Sequence, residues 1–291
     1  MNAKDNLHQT GHTAIQMLTD ATSFLFVPGD RPERFPKALA SEADIVIIDW
    51  EASVIPDRKM LARQATQDFL SQCSETVKVA IRVNPVQSDF FVEDCIFLRS
   101  VNVSGVFLTM VESVEDLDHA CQVIPERLPF VAMIETAKGL IQSNQIASVK
   151  RVCRIAFGNM DYQTNLGLPD DPAGMIYPSS VIAVASRSVG LPQPIAGVTA
   201  DFTDLQAFQV AAALERSLGF TAKMCIHPKQ IEWTHAAFRP SELEINWANE
   251  VIEASRHSHA VQIKGVMIDR PVIQRANAIL QSAANFDLVR N

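Results

Sequence analysis

The sequence has no excess of basic residues: 25 lysines and arginines stand against 33 aspartates and glutamates, for a formal charge of −8. Such a chain lacks the field that draws proteins to nucleic acid or anionic lipid, so neither is expected as a partner. Cysteine is sparse. Cys73, Cys95, Cys121, Cys153 and Cys225 form no CxxC pair and no zinc-ligand spacing, and they read as reduced thiols. No apolar run approaches the length that crosses a bilayer. The first twenty residues carry Asp5, His8, His12 and Asp20 and lack a signal-type hydrophobic stretch, so a soluble, cytoplasmic protein is expected. A GxGxxG turn is missing as well. The first apolar run is followed by Pro28-Gly29-Asp30-Arg31, which argues against a dinucleotide-binding open sheet.

What is present is a repeated alternation. Short apolar runs rich in β-branched and aromatic residues recur at Ser23 to Val27, Asp44 to Trp50, Lys78 to Asn84, Gly105 to Met110, Phe130 to Glu135, Arg154 to Asn159, Pro194 to Val198 and Thr221 to His227. Runs such as Ile45-Val46-Ile47-Ile48 are apolar throughout, as strands buried on both faces of a parallel sheet are. Amphipathic segments lie between them. Arg58 to Cys73 gathers Leu61, Ala62, Ala65, Phe69 and Leu70 on one stripe, and Asp204 to Leu218 does the same before Gly219 stops it. Eight strand–helix units predict an α/β fold, a (β/α)8 TIM barrel, with a C-terminal helical extension. The domain reading is a flexible lead over residues 1–20, the barrel over 21–239, and an extension or lid over 240–291. In that last part Pro240 to His257 and Pro271 to Ala284 read as helices, and Gly265 to Asp269 as a short apolar segment.

A barrel of this kind carries its active site at the carboxyl ends of its strands, so the polar residues that interrupt the runs there are the candidates. Asp49, Arg82, Met110, Glu135 and Asp161 stand 33, 28, 25 and 26 residues apart, about one unit each, which places them around one rim. Two carboxylates converging there, Glu135 and Asp161, repel unless a cation lies between them, and Mg²⁺ suits such hard oxygen ligands. The alternative is that Glu135 caps a helix starting at Thr136 and that Asp161 caps a turn. Arg82 lies inside Val79-Ala80-Ile81-Arg82-Val83 and needs an anion, either a substrate carboxylate or an ion pair with Asp49 or Glu51. The turn from Pro28 to Arg34, with Lys37 and Lys138, reads either as a phosphate-binding patch or as a solvated helix start. His227, ahead of Pro228, reads as a buried histidine satisfied by backbone, and Trp50 as packing.

Taken together these segments resemble the HpcH/HpaI aldolase and citrate lyase superfamily, in its citrate lyase β-subunit-like branch with malyl-CoA and citramalyl-CoA lyases. The resemblance rests on Phe26-Val27-Pro28-Gly29-Asp30-Arg31-Pro32-Glu33-Arg34, Ile48-Asp49-Trp50-Glu51, Ile81-Arg82-Val83-Asn84, Ile134-Glu135-Thr136-Ala137-Lys138-Gly139, Phe157-Gly158-Asn159-Met160-Asp161, Cys225-Ile226-His227-Pro228 and Met267-Ile268-Asp269, in family order. It implies Mg²⁺ on Glu135 and Asp161, and Arg82 on the keto-acid portion of the substrate. It also implies Arg31 and Lys37 towards the CoA phosphates, and a homotrimer in which Asp269 closes over a neighbouring subunit's mouth. The chain departs from the family pattern at Ala52, Met110, Asn165 and the Asn159-Met160 pair.

The expected chemistry is a Mg²⁺-dependent carbon–carbon lyase that cleaves a citramalyl-CoA or malyl-CoA thioester into acetyl-CoA and a 2-oxo acid. Asp269, Glu51 and Asp49 are the candidate proton carriers, with Asp269 preferred. Three alternatives stand beside it: a citryl thioester on a carrier protein, a catalytically weakened subunit of a lyase complex, and an aldolase acting on free hydroxy-keto acids.

Overall fold

The computed structural model describes residues 14–73, 78–256, 261–263 and 266–288. Its first unit runs over Met1–Ala237 and its second over Phe238–Asn291.

The eight apolar runs form eight parallel strands closed into one barrel in sequence order: β1 (Ser23–Pro28), β2 (Ile45–Asp49), β3 (Val79–Val83), β4 (Gly105–Leu108), β5 (Phe130–Ile134), β6 (Val152–Phe157), β7 (Ile195–Ala196) and β8 (Ala222–Cys225). The ring closes where β8 pairs with β1. Residues of β2, β4, β5 and β6 are buried on both faces, the pattern that their uninterrupted apolar stretches predict. Inward-pointing Phe24, Ile45, Ile47, Ala80, Phe107, Val131, Met133, Ala156, Ile195, Ala222 and Met224 belong to one core cluster that fills the barrel. Burying a Val, Leu, Ile or Phe side chain contributes about 1.5–3 kcal/mol, so this filling is the main source of the barrel's stability.

Helices follow the strands on the outside. They are α2 (Phe35–Leu39), α3 (Lys59–Ser71), α4 (Phe91–Leu98), α5 (Val114–Val123), α6 (Ala137–Ala147), α7 (Asn159–Leu166), α8 (Ala173–Ser188), α9 (Leu205–Ser217) and α10 (Lys229–Phe238). The unit after β6 has two helices, because Gly167 adopts the left-handed conformation that ends α7 before α8 begins.

The expectation of a flexible lead up to residue 20 extends too far. Residues 1–13 lie outside the described residues, but 14–20 are helical (α1), and Leu18, fully buried, joins the core cluster. Arg154 of β6 ties α1 down. Its guanidinium donates to the carbonyls of Leu18 (3.1 Å), Ala21 (2.7 Å) and Gln193 (2.8 Å) and to Thr221 Oγ1 (3.0 Å). Burial pushes its pKa down to about 10 against the opposing charges of Asp20 and Asp44, and four hydrogen bonds satisfy the buried guanidinium.

The second unit contains α11 (Glu242–Ser255), β9 (Val261–Ile263), β10 (Val266–Ile268) and α12 (Arg270–Leu288). Ser241 and Glu244 start α11 with a capping box, and β9 pairs antiparallel with β10. Ala248, Val251, Ile268 and Ala276 form its core. The hairpin was not anticipated beyond the short apolar segment that became β10, and the unit boundary falls two residues ahead of the expected one. Among the described residues no helix is long and apolar enough to cross a membrane.

Candidate active site

Arg82 and Asp49 occupy paired positions in the register of β3 and β2. Arg82 Nε donates to Asp49 Oδ1 at 2.8 Å and Nη2 to Oδ2 at 2.6 Å, a two-pronged contact that satisfies the buried guanidinium. Nη1 reaches Glu51 at 3.4 Å, and the guanidinium lies over the Phe26 ring, 4.5 Å from its centre. The anion that Arg82 requires is thus an ion pair within the protein. Asp49 also accepts the amides of Glu51 (2.8 Å) and Ser53 (2.9 Å). Burial by itself would raise its pKa, but the Arg82 charge and these hydrogen bonds outweigh it and hold the carboxyl below its ordinary value. Asp49 is therefore a poor proton acceptor. Glu51 behaves oppositely: burial, with Asp49 and Asp161 nearby, raises its pKa against the pull of Arg82. Trp50 packs as expected, fully buried with its indole N–H donating to Thr66.

Glu135 follows β5 directly and is 2% exposed. Burial pushes its carboxyl up to about 8; Asp161 and Glu51 add to the rise, and the Met110 amide and Arg82 oppose it. That amide donates to Glu135 Oε2 at 2.5 Å from a residue with φ 52°, the one non-glycine positive φ among the described residues. An unbranched side chain forced into this region stores about 1–3 kcal/mol, which the contact to Glu135 helps to hold. Neither carboxylate is a helix cap. Thr136 caps α6 by accepting from Gly139, while α7 begins at Gly158 with no side-chain cap and carries Asp161 exposed in its first turn.

Asp49, Arg82, Glu135 and Asp161 line one cavity of about 410 Å³ at the carboxyl ends of the strands, floored by Met133 and Met224. Arg82 is already paired with Asp49, and the neighbouring carboxylates Glu51 and Asp161 help to raise the Glu135 pKa, a mutual repulsion that a bound cation would relieve. A divalent cation fits this donor set. Among the described residues no three His, Cys, Asp or Glu side chains close on one point, and Mg²⁺ needs only one or two carboxylates plus water or substrate oxygens.

Other expected site residues lie elsewhere. Arg31, 3.7 Å from Glu33, and Lys37 on α2 are exposed and do not line the cavity, whereas Arg34 of the same turn does. Lys138 does not group with them. It pairs with Glu112 at 3.2 Å after β5, across the barrel from β1. Asn165 accepts the Ala137 amide at 3.0 Å and so joins α7 to the start of α6. His227 is half-buried rather than buried, and its ring is stacked on Phe202; Nδ1 accepts the Lys229 amide at 3.1 Å. Asp269 is exposed in the second unit and accepts the Val272 amide at 3.2 Å, as a helix-start residue does. Asn159, marked in the sequence as a departure from the family pattern and given no role there, bridges β6 to the Val198 backbone through its side-chain amide at 3.0 and 2.9 Å. An asparagine that follows glycine at a strand end was the available signal.

A closed parallel barrel with an acidic mouth at its carboxyl end defines a class of enzyme scaffold in which strand-end carboxylates and arginine meet the substrate. Residues 22–228 match the profile of the HpcH/HpaI aldolase/citrate lyase family, and the chain belongs to that family. It is 32% identical to a citrate lyase subunit beta-like protein of Deinococcus radiodurans, over 90% of this chain and 97% of that one. It is 28% identical to a (3S)-malyl-CoA thioesterase of Cereibacter sphaeroides, over 88% and 90%. The crystal structure of CitE from Mycobacterium tuberculosis in complex with magnesium, acetoacetate and coenzyme A superposes with a TM-score of 0.79. That pair is 30% identical, covering 91% of this chain and 98% of the other.

Proposed function

We propose that this chain is a Mg²⁺-dependent carbon–carbon lyase acting on a 3-hydroxyacyl-CoA thioester, with citramalyl-CoA ahead of malyl-CoA as substrate. The observation that carries the reading is the gathering of Glu135 and Asp161 with the Asp49–Arg82 pair in one cavity, with Glu51 against Arg82 beside it. Glu135 and Asp161 are assigned as the metal ligands. Bound there, Mg²⁺ would supply Lewis-acid polarisation of the substrate's oxygens.

The residues of the chain do the rest. Arg82, fixed by Asp49, presents its outer edge to the substrate carboxylate and to the negative charge that develops as the bond breaks. The hydroxyl proton goes to a carboxylate that Arg82 holds less tightly than it holds Asp49. Glu51 fits that role within the barrel, and Asp269 takes it if a second copy, in the homotrimer the resemblance implies, carries it to this mouth. As the proton leaves, the C–C bond breaks, its electron pair passes to the thioester as an enolate, and the hydroxyl carbon becomes the ketone of a 2-oxo acid. Return of that proton from the carboxylic acid to the enolate carbon gives acetyl-CoA and restores the carboxylate. Arg31 and Lys37 are assigned to the CoA phosphates.

Incubation with citramalyl-CoA and malyl-CoA, with Mg²⁺ or EDTA and mass-spectrometric identification of products, tests the reading. The expected result is Mg²⁺-dependent release of acetyl-CoA with pyruvate or glyoxylate. Free CoA with an intact hydroxy acid would instead mark hydrolysis, the reaction that the name of the Cereibacter relative describes. Silence on both would favour a carrier-bound citryl thioester or a weakened subunit of a complex. Gly158 offers a second check, because a methyl group there would overlap the Glu135 side chain. Gly158→Ala is expected to weaken Mg²⁺ binding at least about tenfold by calorimetry, since a misplaced ligand loses its share of the coordination energy. The circular dichroism of the barrel should not change.

A further inference from the structure

Phe202 stands in a short polar loop after β7, Thr199-Ala200-Asp201-Phe202-Thr203-Asp204, and is 39% exposed. A lone aromatic side chain left in water on an acidic loop gains nothing for the fold by its exposed part. Its ring lies flat against His227 in the turn after β8, with centres 4.5 Å apart and planes 9° from parallel.

Both partners are held from below. Asp201 fastens the loop by accepting from the Thr203 amide (2.7 Å), the Thr203 hydroxyl (2.6 Å) and the Asp204 amide (3.2 Å), and Asp204 caps α9. Fully buried Gln230 joins loop to turn. It donates to the Thr199 carbonyl at 2.8 Å and accepts the Ile226 and His227 amides at 2.9 and 3.3 Å. The stack is thus a fixed double-ring plate.

Its surroundings are cationic. Lys229 follows His227 by two residues, and Lys37 lies on α2 after β1, the strand paired with β8. Both lie close enough for their charges, after desolvation, to depress the His227 pKa. The plate also adjoins the candidate active site, since Val198 and Ile226, which lead into the loop and the turn, line the cavity.

We infer that the Phe202–His227 stack is a platform for the adenine ring of the thioester's nucleotide end, with Lys37 and Lys229 facing its phosphates. The inference rests on the CoA-thioester reading and deepens it. A planar, uncharged ring gives an aromatic face to any base, and flanking lysines select a base that carries phosphate over a free heterocycle.

The test compares free CoA with pantetheine, which lacks the nucleotide, by titration calorimetry on the full chain. The wild type should bind CoA at least about tenfold more tightly than pantetheine. Phe202→Ala should lose most of that preference and leave pantetheine affinity unchanged, while Phe202→Trp keeps it. Lys37→Ala should weaken CoA several-fold, with the difference shrinking as salt is raised. A Phe202→Ala variant that retains the preference would overturn the platform while leaving the CoA reading intact, as would a wild type that prefers neither ligand. Failure of the wild type to bind either ligand would overturn the CoA reading and the platform with it. Circular dichroism of each variant establishes folding, which a half-exposed loop residue is not expected to disturb.

Discussion

Glu135→Gln is expected to make the metal-free protein more stable and to abolish its reaction. Glu135 has its pKa raised from 4.5 to about 8 by burial and by the neighbouring carboxylates. The folded state therefore favours the protonated side chain: this contribution is fully present below pH 4.5 and is lost as pH rises through about 8. Glutamine keeps an oxygen for the Met110 amide and has no charge to desolvate. In EDTA the variant should match the wild type near pH 4.5 and exceed it by on the order of 3 kcal/mol at pH 7. For a chain of this size that is a rise of several degrees in Tm. Mg²⁺ should reverse the order by stabilising the wild type alone, because only the ionised carboxylate is a good ligand. Turnover should fall about 10³-fold or more, the loss of several kcal/mol of transition-state stabilisation. Thermal melts across pH, with and without Mg²⁺, together with the lyase assay, check all three effects. An unchanged Mg²⁺ response would remove Glu135 from the metal site.

Most of the scaffold was legible because its determinants are local. Ile45-Val46-Ile47-Ile48 can satisfy its pattern only between two apolar layers, and eight such runs separated by amphipathic segments leave few arrangements other than a closed barrel. The rim was legible for a related reason. Residues at the same rank in successive parallel strands come together, and Asp49 and Arg82 are direct register partners.

What escaped depends on contacts distant in sequence or on backbone angles. Nothing in Leu108-Thr109-Met110 announces a positive φ, since that conformation is held by Glu135, 25 residues on. Lys37 and Lys138 look alike as strand-end cations, yet they stand on opposite sides of the ring. Leu18 was hidden in a polar lead, because the two helical turns over 14–20 are too short to stand out by periodicity. Phe202 carries no signal in the sequence, because its partner His227 is 25 residues further along.

The second large effect concerns Arg82, whose structural and chemical roles can be separated. Arg82→Ala leaves Asp49, 1% exposed, with no cation beside it. Breaking a buried pair from one side costs about 3–5 kcal/mol, and the same burial would then drive the Asp49 pKa upward. Arg82→Lys keeps the charge but loses the fork that grips both Asp49 oxygens and the flat face over Phe26, so kcat/KM should fall about 10²-fold with a smaller loss of stability. The decisive variant changes both partners. With Asp49→Asn and Arg82→Met, no charge is left at the paired positions of β2 and β3 and only the partly exposed Glu51 loses a cation, the Asn side-chain oxygen still accepts a loop amide, and Met fills the space above Phe26. Urea unfolding should show most of the lost stability restored. Activity should stay at the level of Arg82→Ala, because no guanidinium edge faces the substrate. If activity returned with stability, Arg82 would be a strand-to-strand tie only, and recognition of the substrate carboxylate would pass to Arg34, the other arginine that lines the cavity.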